Sequence, residues 1–270
     1  MSHAAVILMY HGLRREAEGG RDPDLGVERY VVSAENFERH MRWLLQAGFA
    51  SVPLRDFLAG GAAPPAHRPL GLTFDDGRRS DHRQALPVLQ EMGFHATFFI
   101  VTDWIGRSDF MSGGEIRELA AAGMEIGSHT ASHRFLSELQ EREIREELAA
   151  SRARLEDLTG RPVSLLALPG GRGSRVTLRI AREVGYRAVC TSQVGTNRLG
   201  GGAFCLRRVP VLGGTSLARL GGLMASDPLA LGASRALYGM RRAIRRAIGQ
   251  RAYEGIRRHV LAHHGQATVK

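Results

Sequence analysis

Apolar residues in this chain gather into short continuous runs. Val6–Tyr10, Leu70–Phe74, Ala96–Val101, Met124–Ser128, Leu165–Leu168, Ala188–Thr191 and Phe204–Val209 read as strands, with a shorter one at Ala50–Pro53. Several are apolar at nearly every position, as in parallel strands buried on both faces. Between them lie segments of helical period. Four of these end on a glycine just before the next strand: Gln46-Ala47-Gly48-Phe49, Glu91-Met92-Gly93-Phe94, Ala121-Ala122-Gly123-Met124 and Glu183-Val184-Gly185-Tyr186. Glycine suits the left-handed residue that closes a helix. Strands alternating with helices along most of the chain predict an α/β fold with a parallel sheet, open or closed into a barrel. Ser137–Thr159 predicts one long charged helix with Leu139, Ile144, Leu148 and Leu155 on its apolar side. Gly60–Pro69 reads as a surface connection, and Gly195–Ala203 as a glycine-containing loop without a phosphate-binding pattern.

Folds of this class build their sites at the carboxyl ends of strands. Asp75, Asp76, His129, Pro169 and His11 all fall at such ends. Successive side chains of a strand alternate faces, so Asp75 and Asp76 can reach one site only where the strand stops, and Gly77 permits the turn. His129 and His133 are four apart, so one helical turn would bring both to the same face. One carboxylate and two imidazoles form a ligand set for a divalent metal with open positions, and the spare carboxylate is a ready general base. That combination points to metal-assisted hydrolysis. The spacing leaves open which of the adjacent acids plays which part.

The motifs resemble those of the polysaccharide deacetylases of the NodB-homology type, carbohydrate esterase family 4. Thr73-Phe74-Asp75-Asp76-Gly77 matches the first family motif and Ser128-His129-Thr130-Ala131-Ser132-His133 the second. Ala96-Thr97-Phe98-Phe99-Ile100 and Gly123-Met124-Glu125-Ile126-Gly127 are similar as well, and the likeness runs from about Val6 to Leu212. The resemblance implies a distorted (β/α) barrel and metal-dependent removal of N-acetyl groups, occasionally O-acetyl groups, from a polysaccharide or oligosaccharide. It implies Asp76, His129 and His133 as metal ligands and Asp75 as the base. Zinc suits two histidines and an aspartate, as do cobalt, nickel and iron. The alternatives are a related metal-dependent hydrolase of a non-polysaccharide amide or ester, and a catalytically silent saccharide-binding relative.

The chain also departs from the family. A late Leu-x-His motif normally supplies the acid that protonates the leaving amine, and Leu261-Ala262-His263 fits its letters. It follows a basic helix instead of ending a strand. His11, after Ile7-Leu8-Met9-Tyr10, is the better candidate and resembles the exopolysaccharide-associated branch, with the acid on the first strand. The third motif, Arg-x-Pro-x-Gly in the family, is Ala167-Leu168-Pro169-Gly170-Gly171 here. The arginine that would orient Asp75 is missing, as is the aromatic before the glycine. Pro169 and Gly170 remain, and Gly170 can offer a backbone N–H to an oxyanion. Arg208, closing Phe204-Cys205-Leu206-Arg207-Arg208, is the candidate replacement for the lost guanidinium. The family's Asp-x-x-Asp-Trp motif is absent. Trp104 is placed to stack on a sugar face or to anchor its loop. His3, His40, His67, His82 and His95 lack ligand spacing and read as surface residues.

Charge adds a second region. Eight arginines, one lysine and one glutamate between residues 230 and 270 carry +8 of the net charge of +10. That imbalance argues against a nucleic-acid-binding body and sets apart a basic helical extension, 216–270, from a catalytic domain, 1–215. Leu237, Met240, Ile244, Ile248, Ile256 and Val260 share one helical face, with Arg241, Arg242, Arg245 and Arg246 on the rest. Such a helix suits peripheral contact with an anionic membrane. No run is long enough for a membrane span, and Ala4–Tyr10 is too short for a signal-peptide core, so a cytoplasmic location is expected. Cys190 and Cys205 have no metal or redox spacing and are expected to be reduced, buried thiols.

Overall fold

The computed structural model describes residues 4–15, 28–59, 68–227, 229–232, 235–236 and 239–240. The apolar runs form strands where the pattern predicts them. In chain order the elements are β1 (Ala4–Tyr10), β2 (Leu13–Arg14), β3 (Val32–Ser33), α1 (Ala34–Gln46), β4 (Phe49–Ser51), α2 (Leu54–Ala59), β5 (Arg68–Phe74), α3 (Leu86–Glu91), β6 (Thr97–Ile100) and α4 (Gly113–Ala121). Then come β7 (Glu125–Ser128), α5 (Glu141–Thr159), β8 (Leu165–Ala167), α6 (Arg175–Val184), β9 (Ala188–Cys190), β10 (Asn197–Arg198), β11 (Cys205–Leu206), β12 (Val209–Pro210) and α7 (Leu217–Met224). Gly48, Gly93, Gly123 and Gly185 all have positive φ, as the helix–glycine–strand pattern requires.

The main sheet runs β1-β5-β6-β7-β8-β9-β11, and its neighbours are parallel. β12 returns parallel to β1, with Leu8 opposite Val209. The last strand therefore stands beside the first, and the sheet is a nearly closed barrel whose seam is spanned by Arg207 and Arg208. Phe204–Val209 is thus two short strands and not one. Asn197 brackets Arg207 by bonding both its N–H and its carbonyl, and the Arg208 N–H donates to the Gln193 carbonyl, which interrupts the ladder. Asn197 itself lies on β10, antiparallel to β1, so 195–203 is not wholly a loop.

Alternation along the strands separates two apolar layers. Ala5, Ile7, Phe99, Leu165, Ala167, Ala188, Cys190 and Leu206 pack together inside the barrel, whereas Val6, Leu8, Leu72, Phe74, Phe98 and Leu166 join the layer beneath the helices. The interior is narrow. A Cβ on Gly71 would lie 2.9 Å from Ile7 and Leu54, and one on Gly127 would lie 2.5 Å from Phe99. The same parity, two residues further along each strand, aims polar side chains into the upper end of the barrel. Asp75 follows Thr73, His129 follows Gly127, and Arg208 follows Leu206.

Three other details differ from the sequence pattern. The long helix begins at Glu141, because Gln140 and Glu143 form a capping box, and Leu136–Glu138 is a separate 3₁₀ turn. His40 is fully buried, bonded to Tyr10 Oη and the Thr215 carbonyl, since its position on α1 faces the core. Cys205 is exposed, as it faces outward on a two-residue strand; Cys190 is buried, and both are free.

α7 returns to the body, burying Leu220, Leu223 and Met224 in the layer beneath the helices. The amphipathic segment 235–260, apart from four of its residues, and His263 lie outside the described residues, as do His3 and His67. No helix among the described residues is long and apolar enough to cross a membrane.

Candidate active site

β5 ends at Phe74, and the chain turns through two successive left-handed residues, Asp76 at φ 76° and Gly77 at φ 75°. That reversal lets adjacent acids serve one cavity. The Asp75 N–H stays in the ladder, donating to the Tyr10 carbonyl at 3.0 Å. Asp76 swings back toward β7, where its Oδ1 lies 3.5 Å from Nε2 of both His129 and His133. One ligand atom from each of these three residues falls within 4.8 Å of the others.

The histidines converge differently from the expected helical turn. Residues 129–133 form an irregular loop in which Thr130 (φ 69°) and His133 (φ 64°) are left-handed. Three of the four described non-glycine residues with positive φ therefore lie in this site, and each costs about 1–3 kcal/mol unless its surroundings hold it. The holding groups are present. The His133 N–H donates to Thr130 Oγ1 at 3.0 Å, and the Thr130 and Ala131 carbonyls accept from Thr102 and Asp103. Glu147, reaching from α5, accepts the N–H groups of Ala131 and Ser132, the Ser132 hydroxyl and Arg134 Nε.

Burial alone would raise the Glu147 carboxyl, but the Ser132 hydrogen bonds and Arg134 outweigh it and hold it below its ordinary value. Its stabilisation is therefore present above the unfolded carboxylate pKa of about 4.3 and lost as pH falls through the depressed native value. Glu147→Gln is expected to cost about 1.5–3 kcal/mol at neutral pH. That deficit, read from denaturant midpoints, should shrink as pH drops below the ordinary carboxylate range.

The trio fits a divalent metal. His129 Nδ1 donates to the Ala167 carbonyl at 2.9 Å, which turns Nε2 toward Asp76. Burial opposes the charged ring, but Asp75 and Asp76 prevail and raise His129 above its ordinary value. Burial and then the neighbouring His129 lower His133 to about 4, so its imidazole is neutral at physiological pH. Burial opposes ionisation of Asp76, but His129 and His133 prevail and hold it far below the ordinary range. A bound cation would take the place of the His129 proton, with one carboxylate and two imidazole nitrogens as its donors.

Asp75 stands beside this trio in a separate ion pair. Arg208, fully buried at the seam, donates Nη1–H to Oδ1 at 2.6 Å and Nη2–H to Oδ2 at 2.7 Å. Its remaining bonds reach Thr73 Oγ1 and the Thr191 carbonyl. Burial raises the Asp75 carboxyl, but Arg208, with His129 and His11, brings it below its usual value. A guanidinium is missing from the third motif, and Arg208 brings one to Asp75 from the barrel seam. His11 Nε2 lies 3.7 Å from Asp75 Oδ2. Burial lowers its pKa, against the pull of Asp75 and Asp76. Trp104 packs at a tilt against both rings, 4.9 Å from His133 and 4.7 Å from Phe110, so it braces a proposed ligand. Pro169–Gly171 forms a 3₁₀ turn after β8, with Gly170 at φ 59° and Phe135 where a side chain on Gly170 would go, 3.0 Å from its Cβ position. Sequence reasoning missed Glu147, one of many glutamates on a charged helix.

An incomplete parallel barrel with a metal-ready Asp/His/His trio, a guarded carboxylate and a nearby imidazole defines a hydrolase class. Residues 62–189 match the polysaccharide deacetylase family model. YxkH of Bacillus subtilis is 28% identical over 197 residues, covering 72% of this chain and 71% of its own length. The poly-beta-1,6-N-acetyl-D-glucosamine N-deacetylase of Staphylococcus aureus is 29% identical over 120 residues, 41% of each chain. The structure of IcaB from Ammonifex degensii superposes with a TM-score of 0.69 at 29% identity, covering 82% of this chain and 96% of that one. Residues 62–189 thus carry a polysaccharide deacetylase domain, and the relatives named as N-deacetylases are hydrolases of amide C–N bonds.

Proposed function

We propose that the protein removes N-acetyl groups from an amino-sugar polysaccharide or oligosaccharide, using Asp76, His129 and His133 to hold a divalent metal, Asp75 as base and His11 as acid. The observation that carries this reading is the division of the paired acids: Asp76 faces the two imidazoles, whereas Asp75 is held by Arg208. A bound divalent ion would polarise the acetyl carbonyl and acidify the attacking water. Asp75 takes a proton from that water as its oxygen joins the acetyl carbon. The Gly170 N–H is offered to the oxygen that gains charge. The protonated form of His11 gives its Nε2 proton to the sugar nitrogen as the C–N bond breaks, releasing acetate and a free amine. Pro169 fixes the turn that carries Gly170, and Trp104 borders the sugar.

The staphylococcal relative supports N-acetylglucosamine polymers as the first substrates to assay. Zinc-loaded protein is expected to release acetate from β-1,6-linked N-acetylglucosamine oligomers, and chelator-treated protein is not. Cobalt- or nickel-loaded samples identify the preferred ion. No acetate from any N-acetylated saccharide, with metal content verified, would refute the reading.

A further inference from the structure

A catalytic histidine is usually oriented by a hydrogen bond at its second nitrogen. His11 has none there among the described residues: Nδ1 is buried without a hydrogen-bond partner. A ring fills that role's place. Tyr30 lies face to face with the His11 imidazole, centroids 4.7 Å apart and planes inclined by 29°. On Tyr30, in turn, sits Arg29, its guanidinium 4.5 Å from the ring centroid and its Nη2–H donating to the Tyr30 hydroxyl at 2.6 Å. The stack reads Arg29, Tyr30, His11, and His11 meets Asp75 on its Nε2 edge.

The backbone around the stack is fixed independently of it. β3 pairs with β2, Leu13 opposite Val32, so the chain before Val32 lies against the chain that carries His11. The Val32 N–H donates to the Gly12 carbonyl, and the Gly213 N–H to the Arg29 carbonyl at 2.9 Å. Gly213 is needed for that approach, because a Cβ there would lie 2.5 Å from the Val31 carbonyl oxygen. Tyr30 is thus delivered to His11 by a built turn.

We propose that Tyr30 is the positioning residue for His11: its ring face fixes the imidazole so that Nε2 faces the reacting centre. An aromatic face attracts an imidazolium as it attracts other cations. The inference rests on the reading of His11 as the acid.

Leaving-group chemistry tests it. An amine must be protonated to leave, whereas the phenolate of para-nitrophenyl acetate departs without a proton. In zinc-loaded Tyr30→Leu, the ratio of amide to ester turnover is expected to fall about tenfold, carried by kcat more than by KM. Tyr30→Phe, which keeps the ring, should restore the wild-type ratio. His11→Ala should show the same split more strongly. Tyr30→Met supplies the comparison if the leucine variant does not fold. Equal losses on both substrates in Tyr30→Leu, or a Phe variant no better than Leu, would overturn the inference. Absence of the split in His11→Ala would overturn the acid role of His11 itself, and the inference with it.

Discussion

Replacing Arg208 with methionine is expected to destabilise the protein by about 3–5 kcal/mol, because it strands a buried carboxylate. It should also shift the acid limb of activity to higher pH. Both effects come from one geometry. Arg208 is fully buried and bonds both oxygens of Asp75, itself almost wholly buried. Without the guanidinium, burial is left as the largest influence on Asp75, and burial raises a carboxyl. Asp75 then protonates at a pH where it is still ionised in the wild type. In the wild type the depressed carboxyl contributes stability above the unfolded pKa of about 3.9, lost as pH falls through the native value. The stability gap between wild type and Arg208→Met should therefore close in acid. Asp75→Asn combined with Arg208→Met removes both charges and should recover much of the stability without the activity, since a buried pair replaced as a unit costs little. Denaturant unfolding of the four members of that cycle, with a kcat/KM profile against pH for Arg208→Met, checks each part.

The second large effect separates the adjacent acids. Asp75→Asn is expected to lower kcat by about 10²–10⁴-fold while the protein still binds its metal. Asp76→Asn should instead lose the metal, because Asp76 is the carboxylate facing both His129 Nε2 and His133 Nε2. Activity alone would not distinguish these variants, since both should be nearly inactive. Zinc content after dialysis does: retained in one, lost in the other. Retention in both would remove Asp76 from the ligand set, and loss in both would place Asp75 within it.

Much of this arrangement was legible in the sequence, for identifiable reasons. Buried parallel strands leave continuous apolar runs, and helix ends leave glycines, so the barrel's elements could be placed within a few residues. Asp75, Asp76, His129 and His133 were legible because each lies within or just beyond a strand end. The route by which the histidines meet was not. A spacing of four is compatible with a helical turn, but the loop takes left-handed residues at Thr130 and His133, which only the clamp by Glu147 and the 102–103 backbone makes tolerable. Arg208 was a candidate among many arginines until the barrel closed. Its reach to Asp75 depends on β11 and β12 flanking the seam beside β1, a long-range pairing that no local pattern encodes. Tyr30 was invisible for the same reason, since its contact with His11 follows from the β2–β3 pairing and the Gly213 approach. His40, misread as a surface residue, shows the limit in the other direction: a polar residue on a helix can face the core when it finds Tyr10 and the Thr215 carbonyl.

The most direct test compares acetate release from an N-acetylglucosamine oligomer by wild-type protein and Asp75→Asn, each carrying one equivalent of zinc verified in the same sample. The account predicts turnover by the wild type and a rate lower by about 10²–10⁴-fold in the variant at equal metal content. Equal rates at equal metal content, or no acetate from the zinc-loaded wild type, would contradict it.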